Sequence, residues 1–160
     1  MADDYMKKLW EIGPALTEAM PHSKRLGIRF VAIDKGRGTL SLPYNPELMG
    51  DPQTRVVHGG AVSALLDQAC GLAALAGFKE PVSCATLNFS IDYMRAAVPG
   101  ETIIATAECY KATKHIAFLR AVAYDVDEED PIAVCQATYI ATRIGSANGE
   151  MVAALEKEKS

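Results

Sequence analysis

Residues 59–76 read GGAVSALLDQACGLAALA, and residues 86–95 read TLNFSIDYMR. The first stretch holds good helix formers, no proline and almost nothing polar, so it predicts a helix that is apolar on nearly every side and therefore buried. Such a helix is roughly 27 Å long. The second alternates strictly: Leu87, Phe89, Ile91 and Tyr93 fall on one face and Thr86, Asn88, Ser90 and Asp92 on the other, the pattern of a half-buried strand. Working outward, residues 27–35 and 39–44 flank a KGRG turn and predict two strands. Residues 102–111, 115–125 and 132–143 predict three more, separated by Pro99-Gly100 and the acidic tip DEED. Residues 4–20 carry Met6, Leu9, Trp10, Leu16 and Met20 near helical spacing, with Pro14 inside and Pro21 as the stop. Residues 43–55, rich in proline, predict an extended loop, and residues 147–158 a short polar helix or a frayed tail. Short turns between consecutive strands mean antiparallel pairing. The expectation is an α+β fold in which a six-stranded antiparallel sheet wraps one long helix.

At 160 residues the chain is one domain, with residues 1–24 as a helical extension and 145–160 as a tail. Its 49% hydrophobic residues suffice for a core without disulfides or metals. Sixteen basic against 20 acidic residues, a net charge of −4, argue against a nucleic-acid binder. Asp67 and Gln68 interrupt the longest apolar run, which argues against a membrane span, and the N-terminus lacks the form of a signal peptide. Cys70, Cys84, Cys109 and Cys135 lie at least 14 residues apart inside apolar stretches. They predict buried thiols in a reducing, cytoplasmic setting rather than zinc ligands. Three scattered histidines give no metal-ligand spacing, His22 is assigned no role, and no G-x-S-x-G elbow is present.

Asp67 is the anomaly of the apolar helix. Ser63, Asp67, Gly71 and Ala74 share one stripe of small residues with a single carboxylate in it. Aspartate is seldom buried without a partner, and a carboxylate in an apolar slot is suited to general-base work; a structural hydrogen bond to Ser63 or a neighbouring strand is the alternative. His58-Gly59-Gly60 stands where the helix begins. There unobstructed N–H groups can receive an anion or a developing oxyanion, or His58 can serve as a cap on a tight turn. Gly59 and Asp67 lie about 12 Å apart along the axis, too far to meet one carbonyl from the same helix. If both act, two antiparallel copies must pair Gly59 of one with Asp67 of the other, in a symmetric dimer with two equivalent sites.

The run VVHGGAVSALLDQACGLAA resembles the signature of the PaaI-type hotdog-fold acyl-CoA thioesterases: a histidine and two glycines, then a small-residue helix with an acid nine positions after the histidine, met by His58 and Asp67. ATLNFSIDYMRAAVPGE and KHIAFLRAVAYD resemble the family's following strand and hairpin, and the likeness spans about residues 25–143. It implies a hotdog fold that dimerises through the sheet, often pairing into tetramers, and hydrolysis of an acyl-CoA thioester with no cofactor beyond the CoA of the substrate. It implies Asp67 as the base or nucleophile and the Gly59 N–H, beside Gly60, as the group polarising the carbonyl. His58 and a loop residue would position substrate or water. Thr86 matches a position that carries Ser or Thr near the nucleophile, and Arg95 a common arginine, followed here by Ala96 instead of proline. The loop asparagine of the family is replaced by Asp51, with Gln53 an alternative, and Asn88 stands where many relatives have aspartate. CoA phosphates call for basic residues at the pocket mouth; Arg55, Arg95, Lys111, Lys114, His115 and Arg120 are the candidates. A non-catalytic acyl-CoA-binding module and a hydratase on the same fold are the competing readings.

Overall fold

The computed structural model describes residues 2–78 and 80–142; the expected tail at 145–160 and the helix at 147–158 lie outside them. Helices α1 (Ala2–Glu18) and α2 (Pro21–Leu26) lead into strands β1 (Arg29–Asp34) and β2 (Arg37–Leu42), the long helix α3 (Gly59–Phe78), and strands β3 (Ser83–Tyr93), β4 (Ile103–Ala112), β5 (Ile116–Tyr124) and β6 (Ala133–Thr142). The strands form one antiparallel sheet in the order β1-β2-β4-β5-β6-β3. The sheet curls around α3, and this is the hotdog arrangement.

Small inward residues make the wrapping possible. Ala105 and Ala107 of β4, Ala117, Ala121 and Ala123 of β5, and Ala133 and Ala137 of β6 are all buried, so the sheet approaches the helix closely. On β2 the approach is tighter still: a Cβ on Gly38 would meet the Ala73 nitrogen and Leu72 at 3.1 Å. Helix α3 is long and apolar enough to cross a membrane by composition, and its place inside the sheet accounts for that composition. It is not covered all round, however. Ala64, Asp67, Gln68, Gly71 and Leu75, at helical spacing, remain only half-buried and face a cleft.

Three expectations change. Pro21 starts a second helix instead of ending the chain's first, because a proline at the opening position loses no hydrogen bond; α1 ends earlier, at Glu18, and continues through Pro14 without a break. The loop at 43–55 contains a 3₁₀ turn, Pro46–Leu48, capped by the Asn45 side chain on the Glu47 N–H. Strand β3 is not half-buried along its length. It lies at one edge of the sheet, pairs only with β6, bulges at Leu87 and exposes Leu87 and Tyr93.

Candidate active site

Asp67 sits mid-way along α3 on its uncovered stripe, facing the first half of β3. Thr86 of β3 donates to Asp67 Oδ1 at 3.0 Å, and Tyr139 of β6 donates to the same oxygen at 2.6 Å. Thr86 and Tyr139 are register partners across the β3–β6 ladder, so two strands present adjacent hydroxyls to one carboxylate oxygen. The Tyr139 hydroxyl also lies 2.6 Å from the Asp67 carbonyl, which ties it to the helix backbone. Burial first, and then the carboxylate beside it, push the Tyr139 phenol well above its ordinary range, so it stays a donor. Oδ2 has no hydrogen-bond partner among the described residues. Since no buried side-chain oxygen there lacks a partner, Oδ2 reaches the open cleft. The carboxylate is thus fixed by one oxygen and free at the other.

The cleft beside it encloses about 440 Å³. Its floor is α3 from Ala64 to Leu75, one wall is Val82 and the start of β3 as far as Thr86, and the other is the α1–α2 corner with Leu16, Thr17, Met20, His22 and Ser23. His22, given no role from sequence, stands at this rim. The corner is held to α3 by the buried Ser23 hydroxyl, which donates to Gln68 Oε1, and by Gln68 Nε2, 3.5 Å from the Thr17 carbonyl. Cys84 also lines the cleft. Burial and the Asp67 charge push its thiol up to about 12, so it is no nucleophile at neutral pH. Cys70 and Cys135 are buried with sulfurs 3.7 Å apart, whereas Cys84 and Cys109 are only half-buried.

A second group of expected residues gathers at the N-terminus of α3. His58 Nδ1 accepts the Gly60 N–H at 2.8 Å, which is the cap geometry. A Cβ at Gly60 would come within 2.9 Å of that nitrogen, so the glycine makes room for the cap. The Gly59 N–H makes no hydrogen bond among the described residues. Its carbonyl accepts from Tyr93 at 2.6 Å and Ser63 at 3.1 Å. The preceding loop is docked here too: His58 N–H bonds the Leu48 carbonyl, and Gly50 N–H the Val56 carbonyl. Asp51 is exposed and closes a local turn, accepting from the Gln53 N–H at 2.9 Å. That bond, then the Thr54 hydroxyl, holds its carboxyl below the ordinary value. Asp51 and Gln53 therefore sit at the exposed turn of the loop whose flanks dock at His58, and neither lines the cleft at Asp67.

Arg95 is committed elsewhere. It grips Asp125 with two bonds, at 2.6 and 3.1 Å, and binds the Asp130 carbonyl and carboxylate. Asp125 also accepts the Val98 N–H. With no side-chain exposure of its own, Asp125 has its carboxyl held far below the usual range, chiefly by Arg95. Arg95 fastens the β3–β4 turn to the end of β5 and has little donor capacity left for a substrate. Arg120 is paired with Glu108 and lies 6.0 Å from the Tyr110 ring centre. Lys114 and His115 occupy the exposed β4–β5 turn, and Ala141, which bonds the His115 carbonyl, pairs with Cys84. They lie toward the end of the cleft where β3 begins and not beside Asp67. No group of three or more potential metal ligands converges among the described residues.

Comparison with known proteins follows the same lines. The thioesterase superfamily model matches residues 55–132, the loop end through β5 and beyond. The medium/long-chain acyl-CoA thioesterase YigI of Escherichia coli is 25% identical over 142 residues, 81% of this chain and 90% of its own. The acyl-coenzyme A thioesterase PaaI of Escherichia coli is 28% identical over 101 residues, 63% of this chain and 69% of its own. The solved PaaI structure shares the fold, with a TM-score of 0.75 at 20% identity, covering 86% of this chain and 96% of that one. A crystal structure of a Pseudomonas aeruginosa protein is 35% identical, with a TM-score of 0.76, covering 84% of this chain and 99% of that one. The chain carries a thioesterase superfamily domain at residues 55–132.

Proposed function

We propose that this protein hydrolyses acyl-CoA thioesters, with Asp67 as the base or nucleophile and the Gly59 N–H of a second copy polarising the thioester carbonyl. The observation that carries the reading is the half-tethered carboxylate: Oδ1 is held by Thr86 and Tyr139 while Oδ2 opens on an apolar cleft. An acyl chain in that cleft brings its carbonyl to Oδ2. As a base, Asp67 takes a proton from water, the hydroxide attacks the carbonyl carbon, and the C–S bond breaks to release the CoA thiolate. The proton passes to sulfur, giving free acid and CoA. As a nucleophile, Asp67 attacks the same carbon and expels the CoA thiolate, forming a mixed anhydride. Water then cleaves the anhydride, restoring the Asp67 carboxylate and releasing the free acid, and one proton of that water ends on the CoA sulfur. Either route needs an oxyanion donor. On its own chain the Gly59 N–H is about 12 Å away along α3, so the donor comes from a partner.

Two features support a dimer. Strand β3 leaves one edge unpaired among the described residues, which is a template for a second copy. It also exposes Leu87 and Tyr93, with Met94 just beyond. The names of YigI and PaaI agree with the chemistry.

The test is CoA release from a panel of acyl-CoAs by wild type and Asp67→Asn. General-base assistance is worth roughly 10²–10⁴-fold, and the variant should lose that much while keeping its fold. Equal turnover by the two proteins would sink the mechanism.

A further inference from the structure

We infer that the cleft beside Asp67 takes a straight aliphatic acyl chain of about eight to ten carbons, and that Gly71 is the residue that sets this length by leaving the floor open. The inference rests on the thioesterase reading of Asp67 and deepens it.

Gly71 is four residues beyond Asp67, one turn further on the same face and so about 6 Å along the axis. A glycine in a helix interior weakens the helix relative to alanine, so its presence wants a reason. Conformation does not supply one, since Gly71 is not among the residues with positive φ. Packing does not either: a Cβ there would meet only the Tyr139 ring, at 3.6 Å, an ordinary contact. What a larger side chain would occupy is the cleft, whose lining includes Gly71.

The dimensions then set the chain length. The floor runs from Asp67 to Leu75, eight residues or about 12 Å. The β3 wall runs beside it antiparallel to the helix: Thr86 bonds Asp67, Cys84 Sγ lies 3.7 Å from the Gly71 carbonyl, and Val82, just before the strand, also lines the cleft. An extended chain advances roughly 1.2 Å per bond, as three bonds per residue of an extended backbone show. Twelve ångströms is therefore about ten bonds, and the first turn, to Gly71, only about five. Ser23 and Gln68, the polar side chains at the middle of this path, are engaged with one another and Gln68 with Thr17, and His22 and Ser83 are further polar side chains in the lining. Leu16, Met20 and Leu72 complete an apolar surround.

The experiment measures kcat/KM for butanoyl-, octanoyl-, decanoyl-, palmitoyl- and phenylacetyl-CoA with wild type, Gly71→Leu and Leu75→Ala. Binding of butanoate and decanoate is measured on the same proteins by calorimetry, and folding by circular dichroism. Each buried methylene is worth roughly fourfold, so wild type should favour decanoyl- over butanoyl-CoA by about a hundredfold or more, with no further gain for palmitoyl-CoA. Gly71→Leu should cut that ratio by about fiftyfold or more, and Leu75→Ala should move the optimum to longer chains. A flat chain-length profile in wild type, a preference for phenylacetyl-CoA, or a ratio unmoved in folded variants would overturn the inference. Should no acyl-CoA be turned over while decanoate still binds tightly and Gly71→Leu abolishes that binding, the chamber stands and the thioesterase reading falls. If Gly71→Leu fails to fold, Leu75→Ala decides alone.

Discussion

The N-terminal end of α3 and its middle both hold residues of catalytic type, yet they are assembled by different means. At the N-terminus His58 caps the Gly60 N–H two residues away, and the loop from Leu48 to Val57 docks by backbone hydrogen bonds. That end is built locally, and it leaves one donor, the Gly59 N–H, unused. In the middle Asp67 takes its partners from strands 19 and 72 residues distant. That site exists only when the sheet has closed on the helix. A locally built donor and a tertiary-built acceptor on one straight helix cannot converge, and the separation is the physical argument for a second copy.

The largest effect expected comes from testing that convergence directly. Gly59→Pro removes the free N–H at a helix position where proline is well tolerated, and should cost about 10²–10³-fold in kcat. Mixed with Asp67→Asn, itself expected to be nearly inactive, it should recover about a quarter of wild-type activity. At equal amounts about half the dimers are mixed, and each mixed dimer has one site with both residues intact. CoA release from the mixture after subunit exchange checks this; no recovery once exchange is complete would remove the partner's Gly59 N–H from the reaction.

Next in size is a structural effect. Arg95→Met strands the covered Asp125 carboxylate and should destabilise the fold by roughly 2–3 kcal/mol, below the 3–5 typical of fully buried pairs because Arg95 is itself partly exposed. The sign with pH follows from the depressed carboxyl of Asp125. Its contribution is complete above the ordinary carboxylate range and is lost as pH falls through and below that range. Urea midpoints of wild type and variant should therefore differ most above about pH 5 and converge toward pH 2. A gap that grows on acidification would contradict this assignment, and a loss of activity without a loss of stability would return Arg95 to the substrate.

Smaller again, Tyr139→Phe keeps the ring and removes one of the two hydroxyls on Oδ1. It should lower kcat by about tenfold, the effect of losing one hydrogen bond to a charged group. Thr86→Val should do the same to a lesser degree at the longer, 3.0 Å bond. A kcat unmoved in folded Tyr139→Phe would make the tyrosine a packing residue only.

The long helix and the six strands are legible because each is written in local periodicity, and Asp67 stands out as the carboxylate that interrupts an apolar helix. Alternation at Cys135, Ala137 and Tyr139 does place the tyrosine inward with the buried residues. A tyrosine among inward alanines wants a partner for its hydroxyl, yet nothing local says that the partner is Asp67. Helix α2 was missed because Pro21 stops one helix and starts another with the same ring. Strand β3 has the alternation of a half-buried strand, but one side of that pattern, at Leu87 and Tyr93, stays exposed in a single chain. Arg95 drew attention through resemblance, whereas its acceptors at 125 and 130 are set by tertiary structure.

The smallest effect returns to the cap. His58→Ala removes the acceptor for the Gly60 N–H, and the loss of a helix cap costs about 1 kcal/mol. The imidazole also fills the space that Gly50 and Gly60 leave for it, so the loop carrying Asp51 and Gln53 should loosen with it. If His58 serves mainly as this cap, His58→Asn, an alternative cap residue, should restore the melting temperature and most of kcat/KM together. If instead the ring touches substrate or water across the dimer, His58→Asn should recover stability and leave kcat low. The two readouts separate a residue that shapes the donor end of α3 from one that takes part in the chemistry.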